Sequence, residues 1–97
     1  MNEIIFEWDD RKAQKNEQKH GISFEVAQTA FYDKNARLAH DLDHSQDEER
    51  YILLGMSTVL HLLVVCHVYR QNDQVIRIIS ARRATKQEQM QYQRFSP

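Results

Sequence analysis

The apolar strands of the second half carry side chains that chemistry can use. His61, His67, Tyr69, Arg77 and Ser80 interrupt runs of Leu, Val and Ile, and Arg70, Arg82 and Arg83 stand at their ends. An arginine flanked by apolar strand neighbours is costly to bury unless its charge is answered. Arg77 therefore either pairs with a carboxylate or lines a site that receives an anion. Arg82-Arg83 precede a capped helix, where two guanidinium forks and a helix dipole suit phosphate; a solvated surface pair is the plain alternative, and Arg70 shares the ambiguity. His67 carries the one side-chain type that both gives and takes protons near neutral pH. Lys12, Lys15 and Lys19 form a stripe at helical spacing, beside a second stripe of Ala13, Asn16 and His20. The second is read as the inward side, with His20 as a structural histidine and the lysines as a solvated face or an extension of a polyanion path. His40-Asp41-Leu42-Asp43-His44 has the composition of a divalent-metal site. Read as a strand, however, it sends His40, Leu42 and His44 to one side and both aspartates to the other. With no HExxH pair and no paired cysteines, no metal is expected. Glycine-rich phosphate loops, a nucleophile elbow and a dinucleotide fingerprint are missing from the sequence.

These side chains need a frame. The 97 residues allow one domain over 1–97 with one core. The hydrophobic fraction of 41% with two glycines and one proline fits a globular chain. No apolar run is long enough to span a bilayer, no secretory signal is evident, and the lone Cys66 reads as a small buried hydrophobe, so a reducing cytoplasm is expected. Charge is unevenly spread. Residues 1–59 hold seven Lys/Arg against twelve Asp/Glu, and residues 60–97 hold six against two, so a balance of −5 is followed by one of +4. That split predicts a basic face for a polyanion.

The pattern predicts a strand at 4–8, then a helix capped by Asp9 or Asp10 and stopped at Gly21. Ser23 caps a second helix whose Phe24, Ala27 and Phe31 share a buried face. The period then becomes two, giving strands at 36–43, 51–56, 60–69 and 75–81, joined by turns at Ser57-Thr58 and Gln71-Asn72-Asp73. Regular alternation would put Arg77 on one face of the last strand and Ser80 and Arg82 on the other. Thr85-Lys86-Gln87-Glu88 matches a capping box and opens a last helix. The expected class is α+β: an antiparallel sheet with two N-terminal helices and one C-terminal helix.

One resemblance covers nearly the whole chain. Phe6-Glu7-Trp8-Asp9, Lys12, Asn16 and Lys19-His20-Gly21-Ile22-Ser23-Phe24-Glu25 are similar to the opening of the BrnT toxins. The likeness resumes at Glu49-Arg50-Tyr51 and Gly55. It is strongest at His67-Val68-Tyr69-Arg70 and at Arg77-Ile78-Ile79-Ser80-Ala81-Arg82-Arg83-Ala84, followed by Glu88. The resemblance implies a RelE-like fold and a toxin that cuts RNA within the chain and so inhibits translation. It also implies neutralisation by a BrnA-type antitoxin with a ribbon-helix-helix region, the complex touching DNA only through that antitoxin. Metal-independent cleavage needs a base for the ribose 2′-hydroxyl, charge stabilisation at phosphorus and an acid for the leaving oxygen. On that footing Arg77 and Arg82 are expected to stabilise charge, His67 to serve as acid or base, and Tyr69 to stack on a base or join proton transfer. Tyr92 is a weaker candidate for the role of Tyr69. Arg70, Ser80, Arg83, Lys12 and Lys19 are expected to hold RNA, with no cofactor. Two other classes remain open: a non-catalytic antitoxin partner and co-repressor, and a metal-dependent hydrolase built on 40–44.

Overall fold

The computed structural model describes residues 3–95. It runs β1 (Ile5–Glu7), α1 (Asp10–His20), α2 (Phe24–Thr29), a 3-10 turn at Ala30–Tyr32, and β2 (Arg37–His40). A second 3-10 turn at Leu42–His44 leads to β3 (Tyr51–Met56), β4 (Leu62–Arg70), β5 (Val75–Arg83) and α3 (Lys86–Phe95). The helix boundaries follow from local chemistry. Asp9 caps α1 by accepting from the Arg11 and Lys12 amides, and Gly21 closes it at φ 71°. Ser23 accepts from the Val26 amide. Thr85 and Glu88 satisfy each other's backbone N–H groups at 2.8 and 3.2 Å, a complete capping box.

The five strands form one sheet in the order β1-β5-β4-β3-β2. From β2 to β5 all pairings are antiparallel, but β1 lies parallel to β5, Glu7 opposite Arg77. The sheet is thus mixed rather than antiparallel throughout. The chain leaves β1 through two helices, enters the sheet at its far edge and returns strand by strand, so β5 arrives beside β1 in the same direction. A second correction concerns 36–43. The strand ends at His40, and the chain then tightens into the 3-10 turn at Leu42–His44, so alternation no longer governs those side chains. The turn from β3 to β4 is also longer than two residues: the Ser57 amide donates to the His61 carbonyl, and Leu60 takes φ 64°.

Helices α1 and α2 cover one face. Phe24, Ala27, Ala30, Leu63, Val65 and Ala81 are fully buried there with Ile76 and Ile78 around them. Asn16 fastens α1 to β5. Its amide donates to the Ala81 and Ile22 carbonyls at 2.9 and 3.0 Å, and its oxygen accepts from the Ala81 amide at 3.0 Å. Gly55 lets β3 pass under the end of α2, because a Cβ there would stand 2.7 Å from the Ala30 carbonyl oxygen.

One irregularity reorders the chemistry. Cys66 pairs with Ser80, yet the next residue, His67, pairs with Ile78, so Ile79 is an extra residue in β5. A bulge of this kind shifts alternation by one position. Arg77, opposite Val68, therefore shares a face with Ser80, opposite Cys66, and Arg82, opposite Val64. Unbroken alternation would have separated them. All three lie on the face that α1 and α2 leave uncovered.

Candidate functional site

The uncovered face is floored by Val64, Cys66 and Val68 and carries Arg70, Arg77, Ser80 and Arg82. Each arginine meets a carboxylate. Arg77 Nη1 donates to Glu7 Oε2 at 3.0 Å, so its charge is answered by an ion pair in this structure. Arg70 stands 3.9 Å from the same Glu7 oxygen and 3.3 Å from Glu48. Arg82 makes a two-pronged contact with Glu88 at 2.8 and 2.9 Å. That pairing raises the guanidinium's pKa and holds the Glu88 carboxyl down at about 2. Arg77 and Arg82 face residues four apart on β4, or about 13 Å at about 3.3 Å per residue. Their head groups are drawn further apart, one towards β1 and the other towards α3.

At the Arg82 end lies a cavity of about 240 Å³, lined by Asp41, His44, Arg50, Ile52, Val64, Cys66, Ile79, Ser80 and Arg82. Sequence reasoning weighed His44 and Asp41 only as part of a metal site at 40–44 and did not join them to Arg50. Their segment has no period, and the strand reading of 36–43 turned the aspartate away from the histidine. For Arg50 the signal was Glu49-Arg50-Tyr51 within the family likeness. In the 3-10 turn His44 Nδ1 instead lies 3.0 and 3.2 Å from the two Asp41 carboxylate oxygens. Cys66 is half-buried, and burial pushes its thiol pKa up, which keeps it protonated rather than nucleophilic. Among the described residues, no three His, Cys, Asp or Glu side chains are placed together to hold a metal ion.

His67 and Tyr69 lie on the other face, away from Arg77, Ser80 and Arg82. His67 is 0% exposed. Its Nδ1 lies 3.0 Å from the Val65 carbonyl, which can only accept, so Nδ1 carries the proton and Nε2 accepts from the Tyr69 hydroxyl at 3.3 Å. Burial lowers the pKa of His67, outweighing the carbonyl bond, and raises that of Tyr69. Both shifts keep the proton on the phenol and the imidazole neutral. A proton carrier must reach its substrate, and in this conformation His67 has no surface to offer one. Around the pair stands an aromatic cluster: Phe31 at 4.8 Å from His67, Tyr51 at 5.2 Å from Tyr69, and His40 at 5.1 Å from Tyr51.

The remaining candidates are dispersed. Arg83 lies at the opposite end of β5 from Arg77 and lines a separate hollow with His61 and Tyr92. Lys12 and Lys19 are exposed on α1, which packs against the helix-bearing face. Tyr92 is nearly buried, and its hydroxyl donates to Asp33 at 2.6 Å, so it pins α3 to the body of the domain.

A family model described as "Ribonuclease toxin, BrnT, of type II toxin-antitoxin system" matches residues 8–88. The fold is similar to the 1.1 Å crystal structure of the Brucella abortus ribonuclease toxin, BrnT. The TM-score is 0.62 at 24% identity, covering 89% of this chain and 100% of that one. Among curated proteins, none matches the sequence.

Proposed function

Since the chain belongs to the BrnT family of ribonuclease toxins of type II toxin–antitoxin systems, we propose that it cuts RNA on the uncovered sheet face without a metal. The observation that carries this reading is the bulge at Ile79, which collects Arg77, Ser80 and Arg82 on one face. A guanidinium has a permanent charge and a fork that matches phosphate oxygens, so it can do at phosphorus what a metal ion does elsewhere. Arg82, at the cavity, stabilises the charge that develops on the scissile phosphate. Arg77 and Arg70 hold neighbouring phosphates, and Ser80 orients one of them. Arg83, Lys12 and Lys19 lie on the helix-bearing side and form no part of this path.

Tyr69 and Arg70 are consecutive at the end of β4, so that end offers a ring on one face and a guanidinium on the other. An RNA strand crossing it meets both, and Tyr69 takes a base by stacking. His67 acts through Tyr69, whose hydroxyl it orients. The family supplies an antitoxin partner. We assign it to the BrnA ribbon-helix-helix type on the strength of the motif likeness, and place the action in the cytoplasm.

The test is cleavage of a mixed RNA by the purified chain with chelator present, beside an Arg77→Ala Arg82→Ala variant. Fragments from the wild type, with a rate at least about 100-fold lower in the variant, are expected for lost charge stabilisation. Cleavage abolished by chelator would overturn the metal-free reading, and equal cleavage by both proteins would move the site off this face.

A further inference from the structure

Within the ribonuclease reading, on which this inference rests, we propose that His44 is the base that takes the proton from the ribose 2′-hydroxyl and that Asp41 is its positioning residue. The two form a dyad of the kind that makes an imidazole effective. Asp41 is only 11% exposed and accepts from Nδ1, whereas the His44 side chain is 67% exposed above it. The buried carboxylate fixes the ring and its tautomer and stabilises the imidazolium once a proton arrives. Nε2 has no hydrogen-bond partner among the described residues and is the atom left to meet substrate.

The segment that carries the dyad is closed at its base. The Asp41 amide donates to the Arg50 carbonyl at 2.8 Å. Inside this closure the Ser45 hydroxyl donates to the Asp41 carbonyl at 2.6 Å and accepts from the Arg50 amide at 3.0 Å. His44 and Arg50 are thereby held in a fixed relation, and both line the cavity that Arg82 and Ser80 line from β5. On its other side His44 borders a hollow with Asp43, Asp47 and Glu48. The imidazole thus stands between a cavity to which Arg50 and Arg82 bring the positive charge that suits a phosphodiester and a hollow bordered by Asp43, Asp47 and Glu48. Among the described residues no other histidine is seen paired with a carboxylate beside this cavity: His67 is fully buried on the opposite face, His40 lies against Tyr51, His61 lines the separate hollow with Arg83, and His20 ends α1.

The step balances with groups already present. The 2′-hydroxyl proton passes to His44 Nε2 as O2′ bonds to phosphorus, and the charge that builds up there is met by Arg82 and Arg50. The bond from phosphorus to O5′ then breaks, and the leaving oxygen takes a proton from water. The imidazolium later returns its own proton to solvent. The products are a 2′,3′-cyclic phosphate and a 5′-hydroxyl.

Single-turnover cleavage of an end-labelled RNA, in chelator, by the wild type and by His44→Ala, His44→Asn and Asp41→Asn tests this. Both His44 variants should lose about 10²- to 10⁴-fold in rate, the usual span for a lost general base. Their affinity for an uncleavable 2′-deoxy strand should stay within about twofold, since a base contributes to the transition state and not to binding. Asp41→Asn should slow cleavage by at least about tenfold, again with affinity retained. Free imidazole should restore part of the rate to His44→Ala and none to Arg82→Ala. Wild-type rates in both His44 variants would overturn the assignment while leaving the ribonuclease intact. A wild type that cuts no RNA would instead overturn the ribonuclease reading itself.

Discussion

Arg70, Arg77 and Arg82 on the uncovered face are each already held by a carboxylate, and that sets up a competition which RNA must win. Glu7 stands between Arg77 and Arg70, at 3.0 and 3.9 Å. Removing its charge while keeping its shape releases Arg77 for phosphate, whereas Arg70 keeps Glu48 at 3.3 Å. Glu7→Gln should therefore bind an uncleavable RNA strand several-fold more tightly at low salt, as read by fluorescence anisotropy. Unchanged affinity would show that Arg77 does not meet RNA. The Glu88–Arg82 pair makes a different prediction, because its carboxyl titrates at about 2 when folded, against 4.5 ordinarily. A depressed folded pKa means stabilisation that is present at neutral pH and lost as pH falls through that interval. The pair is partly solvated, so Glu88→Gln should cost about 1 kcal/mol at pH 7. In urea melts across pH, the gap between variant and wild type should close as pH falls from about 4.5 towards 2. A gap that persisted at the acid end would mean the pair is not its source.

Secondary structure was legible where its causes are local. Asp9, Ser23, Gly21 and the Thr85/Glu88 box act within a few residues of themselves, and all four perform as their positions predicted. The parallel pairing of β1 with β5 was not legible, because Glu7 and Arg77 are 70 residues apart and neither strand's composition names its partner. The bulge escaped for the same reason. Ile79 looks like any strand residue, and only the register of β4 against β5 makes it extra. Arg77, Ser80 and Arg82 could thus be nominated from sequence, but their shared face could not. The stripe of Ala13, Asn16 and His20 did predict the inward side of α1, with Asn16 as its fastening. Asn16→Leu keeps the branched heavy-atom skeleton and removes all three hydrogen bonds, leaving the Ala81 N–H and two carbonyls buried without them. At about 1–3 kcal/mol for an abandoned buried group, the domain should lose at least about 2 kcal/mol in equilibrium unfolding. A smaller loss would mean that helix packing, not the amide, holds α1 in place.

On the scale of the whole molecule, the acidic first half and basic second half are not separate surfaces. Glu7 and Glu48 reach from the first to Arg70 and Arg77 in the second, so much of the charge split seen in the sequence is answered inside the fold. The phosphate path is therefore narrower than six basic residues suggest. It runs over Arg70, Arg77 and Arg82, with Arg50 added by the segment whose lack of period hid it. A count follows from that path. Each phosphate neutralised on a single strand contributes about −0.7 to the slope of log affinity against log salt. Three or four contacts should give a slope of about −2 to −3, and Arg82→Ala should make it shallower by about 0.7. A slope near −1 would place most of these arginines off the RNA and leave them as partners of their carboxylates alone. A slope near −3 that Arg82→Ala leaves unchanged would put the RNA on some other basic surface, with the cavity beside Arg82 outside its path.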